Sequence, residues 1–178
     1  DAIAGTLRTS DAPTEPTRWG AKERHEQRVV TKAIAGILID LGARNITIDG
    51  PSVLLAGPVA HLHTRITAHA EGRTMEELAC AVHPSPAVCG IPTDKARERI
   101  ATLEDRDRQL YAGFWGPWSA DGRMELFVNL RCMRIHANSA ELRVGAGITA
   151  GSDPAAEWDE TEHKADCWRQ LMRVEAVV

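Results

Sequence analysis

The sequence predicts an α+β fold, a mixed α/β sandwich in which antiparallel sheet is packed with helices. Three observations carry this. Strand-like runs follow one another through short turns rich in Gly, Pro and Asn, which suits antiparallel neighbours rather than long crossovers. Two long segments, one near each end of the chain, show helical spacing of apolar residues. The 178 residues are 43% hydrophobic and 26% charged, enough apolar material for a core.

In chain order, Leu7 to Arg18 is polar and proline-bearing, and reads as a loop. A helix is expected from Ala21 to Leu41, with Val29, Val30, Ala33, Ile34, Ile37 and Leu38 as its apolar stripe and Gly42 as its stop. Strands follow at Asn45–Asp49, Ser52–Ala56 and Val59–Ala70. Short helices are expected at Arg73–Val82 and Thr93–Glu104, the second capped by Thr93 or Asp94, with the stiff loop HPSPAVCGIP between them. Three more strands are expected at Leu110–Ser119, Glu125–Ile135 and Glu141–Ile148, turning at Asp121-Gly122 and at Ala137-Asn138-Ser139. A final helix runs from Pro154 to about Arg173, with Asp153 as N-cap and Pro154 at the first helical position.

This last helix poses a question. Projected at about 100° per residue, Trp158, Thr161, Ala165, Cys167, Trp168, Leu171 and Met172 form one apolar arc, and Glu157, Glu160 and Lys164 fall inside it. A buried carboxylate is costly unless paired, hydrogen-bonded or bound to a metal. Two readings are open. The first turns protrude into water, with Glu157 favouring the helix dipole and Glu160–Lys164 forming an i,i+4 pair; or the acids face inward and need partners. The first long helix repeats the pattern, because Glu26 projects beside Val30, Ala33 and Ile37. Two helices that both turn glutamates inward suggest one shared object. A hard divalent cation such as Mg²⁺, which takes one or two carboxylates and keeps other positions for water and substrate oxygens, suits Glu26 and Glu160 with Glu157 nearby.

Composition limits the alternatives. A net charge of −4 is no footprint for nucleic acid, and no apolar run has the length to span a membrane. Cys80, Cys89, Cys132 and Cys167 show no CxxC pairing and read as free thiols of a reducing, cytoplasmic compartment. The chain begins with Asp1 rather than Met, as a processed product or one piece of something longer would.

The segments KERHEQ, HPSPAVCGIPT, RQLYAG, LRC, VGAGITAGSDPAAEW and ETEHK stand in the order seen in the chorismate-utilising enzymes, and the chain resembles that family along its whole length. The opening AIAGT is similar to the family's P-I-A-G-T/S turn, with Ala2 in the proline position. RHE around Glu26 and HPSPAVCG resemble the isochorismate synthase branch.

The resemblance implies Mg²⁺-dependent isomerisation of chorismate to isochorismate, in which water adds at C2 of the ring and the C4 hydroxyl leaves. The product of such a reaction serves siderophore, menaquinone or salicylate synthesis. It implies Glu26 and Glu160 as direct metal ligands, Glu157 as a ligand through water, and Lys164 as added positive charge. Arg131 would hold the enolpyruvyl carboxylate, to which a guanidinium fork is suited. Gly5, Thr6 and Gly145 would give close backbone or hydroxyl contacts, Ala87 and Val88 would wall the pocket, and His61, Tyr111 and Leu130 would line it. Plainer alternatives stand beside these: an exposed strand arginine, core residues at Tyr111 and Leu130, a hydrogen-bonded strand histidine, and glycines that only form bulges. Arg143 and Pro117 depart from the family pattern.

Family members also carry a segment before the AIAGT turn that supplies a general-base lysine and a general-acid glutamate. Residues 1–178 are therefore expected to be the C-terminal part of a single chorismate-binding domain, holding the metal and carboxylate half of a site and inactive alone. A complementary N-terminal chain or segment is the expected partner. A salicylate synthase, an anthranilate or aminodeoxychorismate synthase large subunit, or an inactive fragment that binds a partner chain are the alternatives.

Overall fold

The computed structural model describes residues 1–174. Its architecture is a three-stranded antiparallel sheet backed by a long helix, followed by a region of short helices and two small two-stranded ladders, and closed by a second long helix.

The sheet contains β1 (Ala2–Arg8), β2 (Arg44–Ala56) and β3 (Val59–His69), in the order β1-β3-β2. β3 is central, and Val59 to Leu62 are buried in it. β2 is the outer strand and is largely exposed. The expected break between Asn45–Asp49 and Ser52–Ala56 is a bulge rather than a turn. One strand runs through Gly50-Pro51, with the register to β3 shifting between Asp49 and Ser52. Proline fits there because an edge strand has no second ladder to donate to. β1 was not legible as a strand. The predicted loop begins two residues too early, since Leu7 and Arg8 still pair with Ala60 and Val59. The register slips at Gly5, whose φ of +68° suits glycine, and a Cβ there would lie 2.8 Å from the Glu23 carbonyl oxygen.

Helix α1 (Ala21–Asp40) packs across this sheet. Val30 and Ile34 form one core cluster with Ala2, joined by Ala4, Leu38 and Ile66. A second cluster gathers Trp19, Ala60 and Leu62, and the Trp19 indole donates to the Pro13 carbonyl at 2.9 Å, anchoring the loop over the sheet. α1 stops as predicted. Gly42 at φ +78° donates to Ile39 O, and Ala43 to Leu38 O, the paired bonds of a glycine-terminated helix.

Helix α2 (Met75–Val82) starts at a reciprocal Thr74–Glu77 capping box. Helix α3 (Thr93–Leu103) has Pro92 at its N-cap, so neither Thr93 nor Asp94 caps it.

The three long strands expected after Leu110 are far shorter: β4 (Phe114–Trp115) with β5 (Phe127–Val128), and β6 (Cys132–Ile135) with β7 (Ala140–Arg143). The reason is backbone conformation. Gln109, Ala112 and Arg131 all sit at positive φ, which ends extended structure, and Arg131 at +47° separates β5 from β6. Both turns form, at Gly122 and between His136 and Ser139.

Helix α4 (Pro154–Val174) begins at Asp153, whose carboxylate accepts from the Ala156 N–H at 2.9 Å. Its inward stripe is rotated from the predicted arc. Glu157 and Ala165 are buried, whereas Trp158, Leu171 and Met172 are exposed.

Gln27 ties sheet to helix. Only 2% exposed, its amide donates to Ala2 O and to Thr64 Oγ1, both at 2.9 Å. Gln27→Met would leave both acceptors unpaired in the core. A loss of about 1–3 kcal/mol is expected by denaturant unfolding, against almost none for Lys32→Met on the exposed face of α1.

Candidate functional site

The interior of the molecule carries charge where α1, β3, the turn after β5 and α4 approach one another. On α1, Lys22 lies one turn before Glu26, and its ammonium is 3.5 Å from Glu26 Oε1. The same ammonium is 2.7 Å from Glu157 Oε1 on α4. Glu157 is 4% exposed, so the solvated reading of this acid does not hold. Both Glu157 oxygens and Glu26 Oε1 are buried and accept no well-aligned hydrogen bond; the Lys22 approach is an oblique ion contact. Glu160 completes the group and pairs with Lys164 at 2.6 Å.

These groups share one electrostatic environment. Burial raises the Glu26 pKa, Lys22 opposes that, and Glu160 and Glu157 raise it further. Burial works to lower the Lys22 pKa, but Glu157, Glu26 and Glu160 outweigh it and the net shift is upward. Three acids share two ammonium groups, Lys22 and Lys164, and three of their buried oxygens lack an aligned hydrogen bond, which is chemistry that attracts a cation. Among the described residues no three His, Cys, Asp or Glu side chains are grouped closely enough to hold a metal ion between them. Mg²⁺ commonly takes only one or two carboxylates and completes its shell with water and substrate oxygens, and the orphaned buried oxygens of Glu26 and Glu157 suit that chemistry.

A cationic group lies beside the acids. His61 on β3 is 8% exposed, and its Nδ1 lies 3.2 Å from both Thr6 Oγ1 and Gly5 O. Its Nε2 meets the Arg131 guanidinium. The positive φ at Arg131 turns its side chain inward, and the Trp168 indole on α4 donates to its carbonyl. Arg131 is therefore half-buried rather than an exposed strand residue. Burial lowers its pKa, while Cys167 and Glu160 oppose that. His61 is lowered to about 4 by burial first, then by Arg131, with Lys164 adding to the effect, so it is neutral at pH 7.

Lys164 links the two groups. Besides Glu160, it donates to Gly145 O at 2.9 Å. Gly145 in turn abuts Tyr111; a Cβ there would stand 2.6 Å from the phenol oxygen. Tyr111 is half-buried and lines a cavity of about 280 Å³ with Val88, Arg108 and Ala112. Gly5, Thr6, His61 and Arg131 thus form one linked set, and Glu160, Lys164, Gly145 and Tyr111 another. Ala87, next to Val88, and Leu130, next to Arg131, stand exposed, so Leu130 is not core. Lys22 was missed in the sequence, although its i,i+4 spacing to Glu26 was visible.

The sequence matches the family profile described as chorismate binding enzyme over residues 1–172. The chain belongs to this family. Among curated relatives it is 36% identical to isochorismate synthase DhbC of Bacillus subtilis, over 98% of this chain and 45% of that protein. It is 35% identical to isochorismate synthase EntC of Escherichia coli, over 79% of this chain and 36% of that one. Among solved structures, the DhbC protein from Bacillus anthracis superposes with a TM-score of 0.83 and 33% identity, over 97% of this chain and 48% of that one. MenF, the menaquinone-specific isochorismate synthase of Escherichia coli, gives 0.82 and 31%, over 96% and 41%. The predicted fold class is that of these enzymes, and the chain spans less than half the length of each.

The buried histidine sets a pH response. A group whose folded pKa is depressed stabilises the fold above its unfolded pKa, and that contribution fades as pH falls. The window for His61 runs from 6.5 down to about 4. Stability is expected to fall across it, by roughly 3 kcal/mol at most from this residue. His61→Gln should flatten that part of a stability-against-pH curve measured by chemical denaturation; an unchanged slope would remove His61 as the cause.

Proposed function

We propose that this chain supplies the metal- and carboxylate-binding half of an isochorismate synthase site, acting on chorismate. The observation that carries the reading is the juxtaposition of an acidic cluster, Glu26, Glu157 and Glu160, with an inward-facing cationic set, Arg131 and Lys164. A dicarboxylate substrate needs both: a cation-bridged grip for one carboxylate and a direct cationic grip for the other. Relatives at 35–36% identity named isochorismate synthase support the assignment.

In this reading Glu26 and Glu160 hold Mg²⁺, with Glu157 beside them. When bound, the metal supplies positive charge to the ring carboxylate. Arg131 presents its guanidinium fork to the enolpyruvyl carboxylate, and neutral His61 orients that fork without adding a competing charge. Lys164, held between Glu160 and Gly145 O, contributes charge near the substrate. Tyr111 and Val88 shape the wall. The general base and general acid, which the resemblance to the family places in a segment before the AIAGT turn, are assigned to a complementary segment.

A second observation supports a partner segment. The accessible surface is 12,193 Å², whereas a compact 19.4 kDa protein exposes about 8,500 Å². Trp115, Trp118, Phe127 and Leu110 all face solvent around β4 and β5, an apolar surface that an additional segment would cover.

The test is turnover of chorismate with Mg²⁺, with product identified chromatographically. The 178-residue chain alone is expected to be inactive, and addition of the N-terminal half of a relative such as DhbC is expected to restore isochorismate formation. General acid–base groups are worth roughly 10²–10⁴ each, so the gain should be of at least that order. Robust turnover by the chain alone would overturn the half-site assignment, and pyruvate release in the restored system would favour salicylate synthase chemistry.

A further inference from the structure

Lys22 has no part in gripping a carboxylate substrate as proposed above, yet its ammonium occupies the middle of the acidic cluster. It lies 2.7 Å from Glu157 Oε1 and 3.5 Å from Glu26 Oε1, two of the buried oxygens that accept no aligned hydrogen bond. It reaches them from the first turn of α1, and its side chain is 29% exposed, so a short swing of a flexible stem returns the charge to water.

A divalent ion such as Mg²⁺ binds carboxylate oxygens at about 2.0–2.1 Å. An ammonium held against the same oxygens would then face a double positive charge a few ångströms away in a poorly solvated space. The two cations repel, and they compete for the same lone pairs. Without either one, Glu157 would be an uncompensated buried carboxylate.

We propose that Lys22 is the resident counter-ion of the acidic cluster, displaced when a divalent cation enters. This rests on the reading of Glu26, Glu157 and Glu160 as a cation site. Lys22 stabilises the metal-free fold and keeps acids on two different helices in register. It also sets a threshold, since an entering cation must do better than a single positive charge already in place. Monovalent ions gain nothing by replacing it, and divalent ions do.

The test uses this chain with Mg²⁺ as the probe. Lys22→Met is expected to lower the melting temperature without metal, to show a larger rise on adding Mg²⁺ than the wild type, and to bind Mg²⁺ roughly three- to tenfold tighter by calorimetry, the factor that removal of a competing ion pair allows. In the wild-type chain, saturating Mg²⁺ should speed acylation of Lys22 by a limiting reagent, read by peptide mass spectrometry, while exposed Lys32 is unchanged. That labelling arm decides the matter if Lys22→Met does not fold. If the wild type binds Mg²⁺ but Lys22→Met binds it equally or less well, or if Lys22 labelling does not rise, Lys22 is not displaced and only this inference falls. If the wild-type chain binds no Mg²⁺ at all, the cation-site reading falls with it.

Discussion

The structure turns on a carboxylate that cannot be left alone. Glu157 is buried on α4, and a buried charge without compensation costs several kcal/mol. Its nearest compensation is Lys22, from a helix that begins 136 residues earlier in the chain. That ion pair ties the first turn of α4 to the first turn of α1. The other attachments of α4 are polar as well: Arg8 to His163, Lys164 to Gly145 O, and the Trp168 indole to Arg131 O. A helix held mainly by charge and hydrogen bonds, with Trp158 and Leu171 facing outward, is placed by its site as much as by apolar burial.

The sheet provides the rigid reference. α1 is fixed on β1 and β3 by Val30, Ile34 and the Gln27 hydrogen bonds, which sets the position of Glu26 and Lys22. β3 buries His61 between Thr6, Gly5 and Arg131. A histidine held neutral in this way can accept a hydrogen bond from a guanidinium, which a protonated one cannot. The acidic cluster thus joins α1 to α4, the cationic set joins β3 and the turn after β5 to α4, and α4 belongs to both. Desolvation strengthens each interaction in such a space, and it equally raises the cost of the Glu26 and Glu157 oxygens that lack an aligned hydrogen bond.

Much of this was legible in the sequence, for identifiable reasons. Helical periodicity marked α1 and α4, and glycine and aspartate marked where they stop and start. The presence of acids on inward faces was visible at Glu26 and Glu160 because projection needs only spacing. What escaped were features set by tertiary context. β1 is short, begins at the second residue and is bulged at Gly5, so it lacks a period-2 signature. The strands after Leu110 were over-extended because nothing in their alternation announces that Gln109, Ala112 and Arg131 adopt positive φ. The stripe of α4 was placed too far toward Trp158 and Leu171, because apolar residues were taken to define the inner face, and here charged ones do. Lys22 was passed over for the same reason: its partner Glu157 lies on a distant element. Among the proposed site residues, those with polar side chains converge through contacts that can be traced, whereas Ala87 and Leu130 rest on resemblance to the family alone.

The central claim is that the inner face of α4, and not its charge as a whole, builds a divalent-cation site. Comparing Mg²⁺ isotherms of Glu160→Gln and Glu162→Gln tests it most directly, since both remove one negative charge from the same helix two residues apart. Glu162 pairs with Arg169 at 2.8 Å, away from the cluster. The account predicts that Glu160→Gln weakens binding by roughly tenfold or more, about 1.4 kcal/mol, while Glu162→Gln leaves it unchanged. Equal losses in the two variants would contradict it.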